Sequence, residues 1–233
     1  MTPRLELAAL DSLTVRLFEQ IDEDNLAWLL AAARRMREVF GEHLVELVPS
    51  YTTLLVQFDL QQLSASQALV LARKALHELQ PDAGLSGTRH VLPVWYHPSV
   101  GPDLVPLAAR LGLTPAELIA RHSGQDYRVF ALGFSPGFAF MGLVHPSLAA
   151  PRLATPRPHV AAGSVGIAER QTAVYPSVSP GGWNLLGRTS ARLFDRQRDA
   201  LSLLQPGDSV RYHAIERDEF IRLGGDDRPW EAA

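Results

Sequence analysis

Two hydrophobic periods organise the first part of the chain. Arg4–Ala9 and Ser12–Phe18 alternate apolar and polar positions around Leu10-Asp11, which predicts a strand pair. The acidic run Asp22-Glu23-Asp24 then precedes Leu26, Leu29, Leu30, Ala33, Met36 and Phe40, which share one face at helical spacing. Negative charge at that point meets the positive end of the helix dipole, and Gly41 ends the helix. Leu44–Pro49 and Thr53–Phe58 predict two more strands around Ser50-Tyr51-Thr52. Ser64 with Gln67 forms a capping box ahead of a second amphipathic helix carrying Leu69, Ala72, Ala75, Leu76 and Leu79. The order ββαββα predicts a two-layer α/β sandwich with an antiparallel sheet.

Beyond it the periods shorten. Val91–Tyr96 reads as a strand, and Asp103 is placed to cap a short helix over Leu104–Leu111 that Gly112 ends. Thr114-Pro115-Ala116-Glu117 is a helix start by three criteria: an N-cap threonine, proline at the first helical position, and a glutamate completing the box. That helix ends near His122-Ser123-Gly124. Tyr127–Phe134, Gly163–Ala168, Thr172–Tyr175, Trp183–Leu186 and Ser209–Ile215 then read as short strands between turns, the pattern of a barrel or a compact sandwich. Of 17 glycines and 17 prolines only six fall before residue 88. The change in texture at Pro81–Thr88 predicts a linker between an N-terminal domain, residues 1–84, and a second domain, residues 88–233.

Composition removes several functions. At 233 residues, 46% hydrophobic and 20% charged, the chain is an ordinary globular one with room for two cores. It has no apolar run long enough to span a membrane and no signal-peptide block at its N-terminus, so the cytoplasm is the expected compartment. With no cysteine there is no disulfide and no thiolate chemistry. A net charge of −3 speaks against a nucleic-acid or anionic-membrane surface. His90, His97, His122, His145, His159 and His213 show no metal-ligand spacing, so no metal is expected. Lys74 is the single lysine and sits in a plain helical pattern, and no GxxxxGK[ST] loop is present. Any ATP used alongside this chain is expected to be bound mainly by another one.

The richest stretch runs from Phe134 to Thr189. Ser135-Pro136-Gly137 and Ser179-Pro180-Gly181-Gly182 are shaped turns, each followed at once by an aromatic, Phe138 and Trp183. Gly133–Gly137 matches GxSxG, but proline after Ser135 removes the backbone N–H that a nucleophile elbow contributes, so a serine hydrolase is not expected. No catalytic base stands out. Ser164, Gln171, Tyr175 and Arg188 fall in the same region and shift the reading from core plugs toward a binding surface. Arg188 suits either of two roles, holding a carboxylate with its planar fork or bracing loop carbonyls.

At GFSPGFAFMG, AAGSVGIAERQTAVYPSVSPGGWNLLGRT and PGDSVRY the chain resembles the 5-oxoprolinase B-subunit family, also labelled kinase inhibitor KipI or allophanate hydrolase subunit 1. VGPDL at Val100–Leu104 and TPAELIARHS at Thr114–Ser123 extend the resemblance to nearly the full length. It departs at Ala161-Ala162, where the family usually has proline before alanine, and at Glu169 and Ala173, where glycines are usual. The resemblance implies an α+β protein: an N-terminal two-layer α/β sandwich followed by a cyclophilin-like β-barrel. It also implies a non-autonomous enzyme component that works with the A and C subunits of 5-oxoprolinase to open 5-oxoproline to glutamate using ATP. Relatives instead inhibit a sensor histidine kinase, or sit inside urea- and allophanate-type carboxyltransferases, and sequence alone does not separate the three. Since 5-oxoproline carries a carboxylate and a lactam, the expected site takes Arg188 as the cation. Ser164, Gln171 and Ser179 would be its hydrogen-bonding groups, with Tyr175 beside them and Phe138 and Trp183 excluding water.

Overall fold

The computed structural model describes residues 2–81 and 87–230. The chain divides into two compact units, residues 1–87 with 130–132, and residues 88–129 with 133–233. The core of the predicted linker, residues 82–86, lies outside the described residues.

In the first unit, strands β1 (Arg4–Ala9), β2 (Ser12–Arg16), β3 (Leu44–Ser50) and β4 (Thr53–Phe58) form an antiparallel sheet in the order β1-β2-β4-β3. Helices α1 (Asn25–Phe40) and α2 (Ala65–Leu76) complete the expected ββαββα order. Their apolar stripes share one core with the sheet: Leu29, Ala32 and Met36 from α1, Ala68, Ala72 and Ala75 from α2, and Leu13, Val15, Leu54 and Val56 from the strands. The local signals act as read. The Ser64–Gln67 capping box is present, and Gly41 takes φ 54 to end α1. Asp24, the N-cap of α1, makes no capping bond through its side chain; Asp22 accepts from the backbone N–H of Asp24 at 3.0 Å.

The second unit is a closed barrel. Its strands are β5 (Arg89–Trp95), β6 (Asp126–Leu132), β7 (Ala139–Gly142), β9 (Ser164–Ala168), β10 (Gln171–Val174), β12 (Asn184–Thr189) and β13 (Ser209–Ala214), in the order β10-β7-β6-β13-β5-β12-β9. Closure, which leaves no sheet edge, decides between the barrel and the sandwich. The β13–β5 pair is parallel. Outside the barrel, β8 (Arg157–Val160) and β11 (Ser179–Gly181) pair as a two-stranded ribbon. Helices α3 (Leu104–Arg110) and α4 (Pro115–Ser123) precede β6, and α5 (Arg217–Arg222) follows β13. The sequence pattern did not predict β7, β8, β11 or α5, the strands among them being only three or four residues long.

One cap is not where it was expected. Thr114 and Glu117 form the reciprocal box at α4, but Asp103 does not cap α3 through its side chain. Its carboxylate instead takes Arg157 Nη2 at 2.8 Å and the backbone N–H of Leu185 at 2.7 Å. A charged donor outcompetes a helix N-terminus for the same oxygen, because both partners there are ionised. The acid thereby ties the start of α3 to the ribbon and to β12.

Candidate functional site

The two shaped turns build one pocket. Gly133 N–H donates to the Phe138 carbonyl at 3.1 Å and Phe138 N–H to the Ser135 carbonyl at 3.0 Å, which closes the first turn tightly. Gly137, at φ 84, is required there: a Cβ would stand 2.8 Å from Cβ of Phe194. The turn delivers Phe138 into a cluster with Val160, Ala168, Ala173, Tyr175, Trp183 and Leu185, where it is 2% exposed. Its ring lies edge-to-face against Tyr175 at 5.3 Å and against Trp183 at 5.7 Å. Such pairs are favourable because a positive ring edge meets a negative face.

The second turn is fitted just as closely. A Cβ at Gly181 would stand 2.1 Å from Oη of Tyr175, so only glycine lets the ribbon cross the phenol. Between the turns lies a cavity of about 130 Å³, lined among others by Phe140, Tyr175, Gly182 and Trp183, with Phe134 and Arg152 at its exposed side. The Arg152 guanidinium sits 6.0 Å from the Trp183 ring centre, at the outer limit of a cation–π contact. Burial raises the Tyr175 phenol above its ordinary range, against the pull of the Trp183 backbone and the Arg152 and Arg157 charges, so it stays a neutral donor at pH 7. Next to the lining residue Pro180, Ser179 Oγ is buried without a hydrogen-bond partner.

The residues expected to form one site fall into separate places. Phe138, Tyr175 and Trp183 share the cavity, and Ser179 adjoins it. Gln171 opens β10 opposite Gly142 and Ala168, and is not among the lining residues. Ser164 is buried in β9, with its Cα opposite that of Arg188. Arg188 lies further along β12, beyond a bulge between Leu185 and Gly187, and also faces Trp95 of β5. It is 1% exposed, and its Nη1 donates to the carbonyls of Asp226 at 2.7 Å and Arg228 at 3.0 Å. Of its two sequence-level roles, the brace on loop carbonyls is the one seen. Arg188 is not among the residues that line the aromatic cavity, whereas Arg152 is. Arg152 lies in the proline- and arginine-rich stretch PRLATPRPHV, Pro151–Val160, where no local signal singles it out.

Ser135 Oγ is buried with no hydrogen-bond partner, so the GxSxG match carries no serine–histidine pair. Among the described residues His122 is a fully buried histidine, at the end of α4. Thr172 Oγ1 donates to the Gly166 carbonyl at 3.0 Å, so it must accept from His122 Nε2 at 2.9 Å. Nδ1 then accepts from the Tyr96 hydroxyl at 2.7 Å, while Tyr127 donates to the His122 carbonyl at 2.7 Å. Burial lowers the imidazole to about 3, so this network is neutral. It is a satisfied polar core that joins α4 to the barrel.

Comparison with known proteins bears on the family and the fold. The family model described as carboxyltransferase domain, subdomain C and D, matches residues 3–204. The 5-oxoprolinase B subunit of Bacillus subtilis (strain 168) is 35% identical over 232 residues, covering 94% of this chain and 97% of that one. The crystal structure of TTHA0988 superposes with a TM-score of 0.78 at 36% identity. That match covers 89% of this chain but 40% of the longer TTHA0988 chain. The urea carboxylase of Kluyveromyces lactis shares the fold, with a TM-score of 0.76 at 18% identity over 94% of this chain and 22% of that one.

Proposed function

The chain belongs to the carboxyltransferase-domain family of subdomains C and D and to the 5-oxoprolinase B-subunit family, and on that premise we propose that it is the B component of an ATP-dependent 5-oxoprolinase. In this reading it acts with the A and C subunits to open the lactam of 5-oxoproline to glutamate. The observation that carries it is the end-to-end similarity to the Bacillus subtilis protein, 35% identity over nearly the whole of both chains.

The chemistry of the residues supports a non-autonomous role. Lys74, the single lysine, is exposed on α2, and the sequence has no GxxxxGK[ST] loop, which supports a triphosphate held elsewhere. ATP is then a co-substrate held by another chain of the complex. What this chain contributes is a small aromatic cavity. About 130 Å³ matches a five-membered lactam ring rather than a nucleotide. Phe138, Tyr175 and Trp183 would exclude water from the ring. The Tyr175 hydroxyl and Ser179 Oγ would offer donors to the lactam oxygen, and Arg152 would meet the carboxylate at the open side.

The test is reconstitution. The purified chain alone should release no ADP in response to 5-oxoproline, and the mixture with the A and C subunits should do so. Turnover by the chain alone sinks the non-autonomous reading. A silent three-component mixture moves the assignment to the histidine-kinase inhibitor that the family label also covers.

A further inference from the structure

Arg188 presents a second chemistry that the aromatic cavity does not use. Its guanidinium is buried, yet only Nη1 is engaged, and by two backbone carbonyls rather than a carboxylate. Nε and Nη2 have no partner. Those two atoms form the edge whose parallel N–H bonds match the spacing of carboxylate oxygens. The two nearby acids are both committed elsewhere. Asp226 is held by the Arg228 guanidinium at 2.6 and 2.9 Å, and Asp227 pairs with Arg217. A buried cation left with carbonyl partners and an idle fork is an arrangement that stability alone disfavours.

What covers it is a light strap. After α5, Gly224 turns the chain at φ 82 in open space, and Gly225 N–H bonds the Phe220 carbonyl at 2.9 Å. The strap then crosses Arg188 and ends where the Trp230 N–H donates to the Ser99 carbonyl at 2.9 Å, its ring 5.3 Å from the Arg157 guanidinium carbon. Asp226, Arg228 and Pro229 are exposed, and only Asp227 and Trp230 are half-buried. A segment with so little buried apolar surface opens at low cost.

We propose that Arg188 is a carboxylate-binding site gated by the segment Asp226–Trp230, in which the anion takes the Nε–Nη2 edge and the strap yields. The ligand class is a small planar carboxylate. The site is separate from the aromatic cavity and does not depend on the oxoprolinase reading.

Sodium acetate against sodium chloride at equal ionic strength tests it in the full chain. In the unmodified protein, acetate should speed amide deuterium exchange over residues 226–230, while the barrel strands stay protected. Trp230→Ala loosens the strap, and that variant should melt about 2–4 °C higher in acetate than in chloride. Adding Arg188→Gln should abolish the difference. Arg188→Lys should lose most of it, since an ammonium keeps the charge but not the fork. Equal melting of folded Trp230→Ala in the two salts overturns the proposal, as does an acetate effect that survives Arg188→Gln. Should Trp230→Ala fail to fold, exchange in the unmodified chain decides alone: no acetate-dependent opening at residues 226–230 leaves Arg188 a brace and nothing more.

Discussion

Asp103 and Arg157 hold each other at 2.8 Å with side chains only 14% and 15% exposed, and the same carboxylate fastens the backbone of Leu185. One acid thus anchors the start of α3, the ribbon strand β8 and the strand that leads out of the aromatic cavity. Asp103→Ala would leave the half-buried Arg157 guanidinium without its carboxylate, though still 3.4 Å from the Trp183 carbonyl, and the Leu185 N–H without its acceptor, and should cost about 1.5–3 kcal/mol. Asp103→Asn, which keeps an acceptor for Leu185, should cost less. Urea unfolding measures both, and a loss under about 1 kcal/mol for the alanine variant would show that the pair is dispensable.

Gly181 is the most confined position of the cavity. Gly181→Ala must displace the Tyr175 phenol or the β8–β11 ribbon, since its Cβ would otherwise lie 2.1 Å from Oη. In the reconstituted enzyme the expected outcome is a folded chain with a raised KM for 5-oxoproline. An unchanged KM would take this cavity out of the substrate path.

The cavity's aromatic and cationic members should differ in weight. Trp183 is 5% exposed and Arg152 is exposed, so the first excludes water and the second meets the ligand at the rim. Arg152→Met should raise KM only about 2–5-fold, the scale of a solvent-exposed ion pair. Trp183→Ala should raise it more and also lower the melting temperature. Steady-state kinetics on both variants, with matched melting curves, checks the order.

His122 makes stability depend on acid. Its folded value is near 3, while the unfolded chain's histidine titrates near its ordinary 6.5. Between those limits the unfolded state binds the extra proton, so stability is full above about pH 6.5 and declines as pH falls toward 3. The slope at its steepest is about 1.4 kcal/mol per pH unit. His122→Gln should flatten the unfolding midpoint between pH 6.5 and 4.5, a window above most carboxylate titration. A slope identical to the parent's would show that another group is responsible.

Two domains joined near Pro81–Thr88 remain the proposal drawn from glycine and proline spacing. Limited digestion with elastase or chymotrypsin should cut first at residues 81–88 and leave residues 134–189 intact. Early cleavage inside the second segment, with the first resistant, would move the boundary.

Much of the fold was written locally. The capping boxes at Ser64–Gln67 and Thr114–Glu117, the stop at Gly41 and the helical stripes of α1 and α2 each depend on groups within a turn of one another. Their chemistry is complete in the sequence, and the caps and the stop form as read, while on α2 the buried face is Ala68, Ala72 and Ala75, with Leu69 half-buried and Leu79 beyond the helix end. The two Ser-Pro-Gly segments do turn, with Gly137 at φ 84, and Phe138 and Trp183 follow them into one cluster. Strands β7, β8 and β11 carry too few residues to show a period, and become strands only because a neighbour supplies the hydrogen bonds.

Partner choice was the part the sequence by itself left open. It determined that Arg188 has a planar fork and Asp103 a carboxylate, but not what either would touch. Asp103 finds Arg157 across 54 residues, His122 finds Thr172 across 50, and Arg188 finds the Arg228 carbonyl across 40. No periodicity or cap geometry encodes such separations. They are decided when the barrel closes, which buries Arg188 on β12 beside Ser164 and Trp95 and puts Arg152, not Arg188, at the aromatic cavity. A side chain's chemistry is local to its residue, whereas its partner is a property of the whole packing, and only the tertiary structure supplies that.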